Sequence, residues 1–225
     1  MKLIIDTANI NIIKEMCKYY PIDGVTTNPS ILAKENKNPY EVLKEIREFL
    51  GNDLELHVQV ISSKSEDMIK EAHKILKELG DNTYIKIPAN KEGIKAMKDL
   101  VKDKINITAT TVYTPMQAYL AGKAGAKYVA PYVNRIDNLG ANGVNTTKDI
   151  NDILINNNMD TEVLAASFKN SQQVLELTKY GIGAATLAPS VLEGLINLDS
   201  VNCALDKFIY EFEETFGKEK TMKNI

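Results

Sequence analysis

Residues 54–80 read LELHVQVISSKSEDMIKEAHKILKELG, and this stretch decides the fold class. In residues 54–60 aliphatic and polar side chains alternate, which predicts a strand because alternate residues of a strand share a face. Residues 65–79 then place apolar side chains three and four positions apart, the spacing of one helix face. Another strand-like run, residues 83–87, follows directly. This order predicts a strand–helix–strand unit with parallel strands.

The same strand–helix pair recurs eight times along the chain. The strand-like runs span residues 2–6, 23–26, 54–60, 83–87, 105–110, 127–132, 162–167 and 184–187. The helical spacing begins near residues 9, 39, 65, 91, 114, 146, 170 and 189. Eight pairs of about 27 residues suit units joined by short loops, and no linker divides the chain. The sequence therefore predicts one domain over residues 1–225, an α/β fold of the (β/α)8 TIM-barrel class.

A further amphipathic helix is predicted after the eighth pair, over residues 201–217. Its apolar stripe comprises Val201, Leu205, Phe208, Phe212 and Phe216. Two alternatives follow from this stripe. The helix packs across its own barrel, or it docks on a neighbouring subunit.

Composition and charge exclude several classes of protein. The chain is 44% hydrophobic and 25% charged, as globular domains are, and its net charge of −3 offers no basic surface for nucleic acid or anionic lipid. No apolar run approaches the roughly 18 residues of a membrane span, and the opening MKLIIDT is unlike a signal peptide. Cys17 and Cys203 lie far apart and are expected to be reduced thiols. We therefore expect a cytoplasmic protein.

Polar residues stand at the ends of seven of the eight predicted strands. They are Asp6, Thr26-Thr27-Asn28, Gln59, Lys86, Thr110, Tyr132 with Asn134-Arg135, and Ser167. Barrel enzymes carry their reacting groups at these carboxyl ends. Strand parity places aliphatic neighbours such as Ile85 and Ile87 on the outer face and Lys86 on the inner face. A converging polar ring of this kind favours a catalytic site over a purely structural barrel.

Lys86 is the one lysine within a strand-like apolar run. Desolvation in a barrel mouth lowers the pKa of a lysine, and a neutral amine attacks carbonyl groups to form a Schiff base. The structural alternative is a buried ion pair between Lys86 and Asp6. That pair is compatible with catalysis, because Asp6 would then orient the amine and take a substrate proton.

Arginine is scarce, and only Arg47 and Arg135 occur among the 27 basic residues. The planar fork of Arg135 at the barrel mouth suits a phosphate, and Ser167 stands at the next strand end. The alternative for Arg135 is a surface pair with Asp137. Arg47, between glutamates of a helix, is expected to form a surface pair.

Metal chemistry has little support in the sequence. The two histidines, His57 and His73, are far apart, and no CxxC, HxH or HExxH motif occurs. We expect His57 to be a polar group of the barrel core and His73 to be an ordinary helix residue. The first strand also lacks a following GxGxxG, so a dinucleotide site is not supported.

Several motifs resemble the transaldolase family, and the likeness covers essentially the whole chain. Residues 24–32, GVTTNPSIL, match its signature, and residues 84–88, YIKIP, resemble its Schiff-base lysine strand. Residues 129–137, VAPYVNRID, and residues 164–169, LAASFK, resemble two further blocks. The chain is most similar to the short branch, which contains fructose-6-phosphate aldolases and small transaldolases.

This resemblance implies a TIM barrel with Lys86 as the Schiff-base residue. It implies that Asp6 is an acid–base group, that Asn28 holds the hydroxyls of a dihydroxyacetone unit, and that Arg135 and Ser167 hold the phosphate of a sugar-phosphate substrate. It implies no cofactor. It also implies a homo-oligomer, a pentamer or a decamer of two pentamers, in which the C-terminal helix reaches a neighbour.

Two activities compete within this branch. An aldolase would cleave the C3–C4 bond of fructose 6-phosphate and release dihydroxyacetone and glyceraldehyde 3-phosphate. A transaldolase of the pentose phosphate pathway would pass the dihydroxyacetone unit to another sugar phosphate. The resemblance associates Gln59 and Tyr132 with aldolases, where transaldolases carry Glu and often Phe. A phenol transfers protons and a phenyl ring does not, so Gln59, Thr110 and Tyr132 are expected to hold a catalytic water.

Three points remain open in the sequence. Asn90 stands where the family pattern has a hydroxyl residue. Thr108, Thr110 and Thr111 are all candidates for the site threonine at the end of the fifth strand, although strand parity favours Thr110. A sugar-phosphate-binding barrel without catalysis is the alternative from another class, and the intact set of candidate residues argues against it.

Overall fold

The computed structural model describes all 225 residues as a closed barrel of eight parallel strands in chain order. The strands are β1 Lys2–Asp6, β2 Gly24–Thr26, β3 Glu55–Gln59, β4 Thr83–Pro88, β5 Ile107–Val112, β6 Tyr128–Pro131, β7 Glu162–Ala165 and β8 Ala184–Leu187. β1 pairs with both β2 and β8, which closes the barrel. The predicted TIM-barrel class is confirmed.

Eleven helices surround the barrel and follow it. They are α1 Ile10–Tyr19, α2 Pro29–Lys34, α3 Pro39–Leu50, α4 Ser65–Leu79, α5 Lys91–Leu100, α6 Pro115–Lys123, α7 Val133–Asp137, α8 Gly143–Asn156, α9 Ser171–Tyr180, α10 Pro189–Glu193 and α11 Asp199–Phe216. A short 3₁₀ turn, Val101–Asp103, follows α5. No helix combines the length and hydropathy that crossing a bilayer requires.

Strand parity holds as the sequence predicts. Aliphatic side chains such as Ile85 and Ile87 belong to the large core between barrel and helices and are fully buried there. The interior carries a smaller apolar cluster of Ile4, Tyr128 and Leu164 near the barrel base. The polar candidates of the strand ends therefore project into the barrel mouth and not into the helix layer.

Several element boundaries differ from the prediction, and two of them have a clear cause. β5 continues to Val112, two residues further than expected, through an irregularity in its pairing with β6 between Ala109 and Val112. α8 begins at Gly143 and not near residue 146, because the side chain of Asn142 accepts a hydrogen bond from the backbone of Asn145 and caps the helix there. A capping side chain thus decides where α8 begins.

Two short helices, α2 and α7, lie within loops that the sequence did not resolve. α2 begins because the Asn28 side chain accepts from the backbone N–H of Ile31 and Pro29 presets the first helical turn. α7 begins after Tyr132 and carries Arg135. Both helices lie at the carboxyl ends of strands and shape the barrel mouth.

α11 follows the completed barrel as predicted, although it begins at Asp199. None of its residues is buried, and Val201, Leu205 and Phe208 expose about half of their surface or more. The helix therefore does not bury its apolar stripe against its own barrel. Docking on a neighbouring subunit stays a prediction.

Arg47 does not form the surface ion pair that was expected from the sequence. Its guanidinium donates to the carbonyls of Gly51, Leu54 and Asn82 and to the hydroxyl of Thr83. The prediction was wrong because these acceptors belong to other segments, which no local charge pattern reveals. Arg47 fastens α3 to the starts of β3 and β4.

A polar network fills the base of the barrel. The Glu55 carboxylate accepts hydrogen bonds from Lys2 and Tyr128 and contacts Nε2 of His57 at 3.2 Å. His57 is fully buried, stacks on Tyr84 at 4.5 Å between ring centroids, and is the core polar group that the sequence predicted. Burial lowers the pKa of His57, although the adjacent Glu55 opposes this shift.

Replacing Glu55 with glutamine is expected to destabilise the protein in a pH-dependent way. Burial alone would raise the pKa of Glu55, but His57 and Lys2 together hold it at about 2, against an ordinary value of 4.5. A depressed carboxyl pKa contributes stability that is present above pH 4.5 and is lost as the pH falls towards 2. We expect Glu55→Gln to cost about 3 kcal/mol at pH 7 and less than half of that at pH 3.

Urea unfolding across this pH range measures the effect. Glu48→Gln on the exposed face of α3 is the matched control and should be neutral. An equal loss at pH 3 and pH 7 would contradict the electrostatic explanation.

Candidate active site

A cavity of about 340 Å³ opens at the carboxyl end of the barrel. Six of the eight sequence-predicted site residues line it: Asp6, Asn28, Lys86, Tyr132, Arg135 and Ser167. A larger groove, of about 560 Å³, lies near Lys127 and Glu162 at the opposite end, where the strands begin. Its charged residues Lys127 and Glu162 pair with each other at 3.4 Å, and barrel enzymes carry their reacting groups at the other, carboxyl end, so the smaller cavity is the candidate site.

Lys86 is 6% exposed, near the carboxyl end of β4. Its Nζ donates to the carbonyl oxygen of Thr27 at 2.6 Å. Burial lowers the pKa of Lys86, and the negative charge of Asp6 opposes this shift. A desolvated amine of this kind reaches its nucleophilic form more readily than an exposed lysine.

Asp6 does not form the ion pair with Lys86 that the structural alternative required. Its Oδ1 instead accepts from the Thr26 hydroxyl at 2.7 Å, and Thr26 lies 2.6 Å from the hydroxyl of Thr186. This chain fixes the carboxylate at the cavity wall, and Asp6 acts on Lys86 through its charge alone. Asp6 therefore keeps a lone pair available for a proton from a bound molecule.

Asn28 combines a structural task with a free amide. Its Oδ1 caps α2 by accepting from Ile31 at 3.0 Å, so its orientation is fixed. The Nδ2 group is left to donate into the cavity that Asn28 lines. This arrangement suits recognition of a hydroxyl or carbonyl oxygen.

Tyr132, which lines the cavity, pairs with Thr110. Their hydroxyls lie 2.7 Å apart, and Thr110 is fully buried. The neighbouring threonines have other tasks, because Thr108 contacts Nδ1 of His57 and Thr111 adopts a left-handed backbone with φ of 55°. Thr110 is thus the threonine that contacts Tyr132, and its catalytic role stays a prediction.

Gln59 is less closely integrated than the sequence suggests. It pairs in register with Lys86 across β3 and β4 and is half-buried. It makes no side-chain hydrogen bond to Tyr132 or Thr110, and it is not among the residues that line the cavity. The water site formed by these three residues together stays a prediction.

The loops after β6 and β7 bring Arg135 and Ser167 to the cavity. Arg135 stacks its guanidinium over the Tyr132 ring at 4.5 Å and leaves its donors free. The pair of Arg135 with Asp137 is absent, because the Asp137 carboxylate accepts from Gly143 and Gln173. Ser167 lines the same wall, so the structure brings both predicted anion ligands to one cavity.

Three further residues that line the cavity were not predicted as site residues from the sequence. Lys34 and Lys169 add positive charge, and Thr186 lies on the inner face of β8. Thr186 was missed because β8 ends in an apolar residue, yet its alternation with Leu187 carried the signal. Lys34 had no such signal, since α2 was not predicted.

The histidines and acidic residues do not assemble a metal centre. No group of three or more His, Cys, Asp or Glu side chains is placed to hold an ion. His73 lies half-exposed on α4 near Asp103, as expected of an ordinary helix residue.

Comparison with known proteins agrees with this geometry. A family model described as Transaldolase/Fructose-6-phosphate aldolase matches residues 3–224. A probable transaldolase of Nitrosopumilus maritimus is 37% identical over 99% of this chain and all of its own length. A probable transaldolase of Thermodesulfovibrio yellowstonii is 41% identical over 95% of this chain and 99% of its own. A probable fructose-6-phosphate aldolase of Streptococcus pneumoniae is 39% identical over 92% of this chain and 94% of its own.

Proposed function

The chain belongs to the transaldolase/fructose-6-phosphate aldolase family of enzymes, and from this premise we propose that it is a Schiff-base aldolase acting on fructose 6-phosphate. The observation that carries the proposal is the buried Lys86 amine, which faces a cavity with Asp6 on one wall and Arg135 with Ser167 on another. A ketose phosphate presents a carbonyl, hydroxyls and a phosphate, and each has a suitable partner here.

In the proposed reaction the Lys86 amine adds to the C2 carbonyl, and water leaves as the iminium forms. Asp6 then accepts the proton of the C4 hydroxyl, the C3–C4 bond breaks, and its electron pair moves into an enamine on C3. Glyceraldehyde 3-phosphate departs. Protonation at C3 restores the iminium, and water releases dihydroxyacetone and regenerates the amine.

Tyr132 is proposed to manage the proton and the water of the last steps. Its phenol is held by Thr110 at 2.7 Å, its ring is covered by Arg135, and Tyr113 meets the ring edge-on. A phenol fixed in this way can supply the proton to C3 and orient water toward the iminium. Gln59 is proposed to assist at this position.

Transaldolase activity is the second candidate. It is favoured by relatives of 37% and 41% identity that are named probable transaldolases. Both reactions share the steps up to the enamine. In the aldolase the enamine is protonated and water then releases dihydroxyacetone. In the transaldolase the enamine adds to the aldehyde of an aldose phosphate.

A product assay tests the choice between the two. Fructose 6-phosphate is supplied alone, and free dihydroxyacetone is measured with time. We expect steady release without any acceptor. Turnover that begins only when erythrose 4-phosphate is added would reject the aldolase and support the transaldolase.

Replacing Arg135 with lysine is expected to weaken binding of phosphorylated substrates. Lysine keeps the charge but loses the fork and the flat stacking on Tyr132, so KM for fructose 6-phosphate should rise about 10-fold or more. The matched measurement uses unphosphorylated fructose, whose turnover should change little. An equal loss for both sugars would contradict a phosphate-binding role.

We also propose that the enzyme is a cytoplasmic homo-oligomer, a pentamer or a decamer. The exposed apolar stripe of α11 supports this, since large apolar patches usually mark an interface. Sedimentation of the full chain against a variant ending before Asp199 measures it. A full-length monomer would reject the proposal.

A further inference from the structure

Two glutamines occupy equivalent places in the loops that border the cavity. Gln117 is the third residue of α6, and Gln173 is the third residue of α9. Each side chain accepts from the backbone N–H that precedes the helix cap, from Tyr113 at 3.0 Å and from Lys169 at 2.9 Å. This contact satisfies a free donor at the helix start and fixes the glutamine oxygen.

The amide nitrogen of Gln117 points back to the strand ends. It donates to the carbonyl of Ala89 at 2.9 Å and to that of Thr111 at 3.3 Å. Ala89 directly follows β4, which carries Lys86, and Thr111 follows Thr110. Gln117 therefore ties the end of the lysine strand to the loop that presents Thr110.

The amide nitrogen of Gln173 makes the corresponding contact on the anion side. It donates to Oδ2 of Asp137 at 2.7 Å, and Gln173 is 7% exposed. Asp137 ends α7, the helix that carries Arg135. Gln173 therefore joins the loop that carries Ser167 to the helix that carries Arg135.

Each glutamine secures a loop whose backbone is unusual. Thr111 and Ser167, six residues before Gln117 and Gln173, have positive φ of 55° and 62°. Left-handed backbone is uncommon outside glycine, and a β-branched residue there is an outlier. Such conformations persist only where surrounding contacts hold them. The Gln117 bond to the Thr111 carbonyl is one such contact.

We propose that Gln117 and Gln173 are positioning residues with separate tasks in the proposed reaction. Gln117 holds the Thr110–Tyr132 pair in place relative to Lys86, and Gln173 holds Ser167 in place relative to Arg135. The inference rests on the proposed function. It adds that the proton-transfer group and the phosphate site are fixed by two independent contacts.

Each task predicts a different kinetic defect. Loosening the Thr110 loop displaces the Tyr132 hydroxyl and slows release of dihydroxyacetone, so the covalent intermediate accumulates and kcat and KM fall together while kcat/KM stays nearly constant. Loosening the contact between α7 and the Ser167 loop separates the phosphate ligands, so KM rises while kcat stays nearly constant. Displacements near 1 Å are enough for changes of about 10- to 100-fold.

The variants Gln117→Glu and Gln173→Glu test the proposal. Glutamate keeps the oxygen that accepts from the preceding backbone but loses the amide donor. For Gln117→Glu we expect kcat to fall about 10-fold or more, with more borohydride-trapped adduct on Lys86 at steady state. For Gln173→Glu we expect KM for fructose 6-phosphate and the inhibition constant of inorganic phosphate to rise about 10-fold.

Further variants separate positioning from helix capping. Gln117→Lys keeps a donor but loses the acceptor, so it should retain more kcat than Gln117→Glu. The double variant Asp137→Asn with Gln173→Glu exchanges donor and acceptor and should restore KM. Gln172→Glu, its exposed neighbour on α9, is the matched control and should resemble the native enzyme.

The outcomes distinguish this inference from the proposed function. Without a borohydride adduct on native Lys86, the proposed function itself fails. If the native enzyme forms the adduct, the same kinetic defect in both glutamate variants would overturn the separate positioning roles. A double variant that does not restore KM would overturn the role of Gln173. If Gln117→Glu does not fold, the Gln173 series alone still decides whether phosphate affinity depends on this contact.

Discussion

Replacing Lys86 with methionine is expected to abolish turnover while leaving the barrel as stable as the native protein or more stable. Methionine has nearly the length of lysine and no charge, so it fits the inner face of β4. The nucleophile is lost, and kcat should fall by about 10⁴-fold or more. The borohydride-trapped adduct should disappear completely, since no other lysine is buried at the cavity.

The gain in stability follows from the direction of the pKa shift. Burial lowers the pKa of Lys86 below its ordinary 10.5, so the folded state binds its proton less readily than the unfolded chain does. Stability therefore rises with pH between the folded pKa and 10.5, and below that window the buried amine costs stability in full. Methionine removes this cost, and the loss of the hydrogen bond to the buried Thr27 carbonyl offsets part of the gain.

Urea unfolding at pH 7 and pH 10 measures this gain, which should shrink at the higher pH. Lys91→Met, on the exposed start of α5, is the matched control and should change neither activity nor stability. Residual adduct formation at another lysine would contradict the assignment of the nucleophile. A Lys86→Met variant that is less stable than the native protein would contradict the inference that burial of the Lys86 amine costs stability.

The fold was predictable because local patterns decide it. Alternation in residues 54–60 and helical spacing in residues 65–79 depend only on neighbours in the chain, and eight such pairs allow few topologies. The boundaries that were wrong depended on contacts beyond the pattern. β5 was expected to end at Thr110 but continues to Val112, beyond Thr111, whose backbone is left-handed.

The site was predictable only in part, for a related reason. Polar residues at strand ends, such as Lys86 and Asp6, stand out against their aliphatic neighbours. Strand parity alone therefore predicts that they face the barrel mouth, where both line the cavity. Residues that act through distant partners carry no local signal. Gln173 meets Asp137 across 36 positions, and Arg47 meets Thr83 across 36 as well. Sequence spacing cannot pair such residues, because the folded barrel alone makes them neighbours.

Replacing Tyr132 with phenylalanine is expected to convert hydrolysis of the enamine into transfer. The ring that supports Arg135 and meets Tyr113 remains, so phosphate binding and Schiff-base formation are preserved. The hydroxyl that Thr110 holds is lost. Loss of a positioned proton donor typically costs about 10²- to 10⁴-fold, so release of dihydroxyacetone should fall by at least about 100-fold.

The enamine should consequently accumulate, and the borohydride-trapped adduct on Lys86 should increase in the variant. Erythrose 4-phosphate then becomes the faster partner of the enamine, because carbon–carbon bond formation takes the proton for the new hydroxyl from Asp6 and none from Tyr132. Water then hydrolyses the resulting iminium and releases the new ketose phosphate. Thr110→Val keeps the phenol but removes its partner, so its effect should be smaller and in the same direction. If adduct formation and release fell equally in Tyr132→Phe, the phenol would act before the enamine, and Gln59 would be left as the candidate for the water.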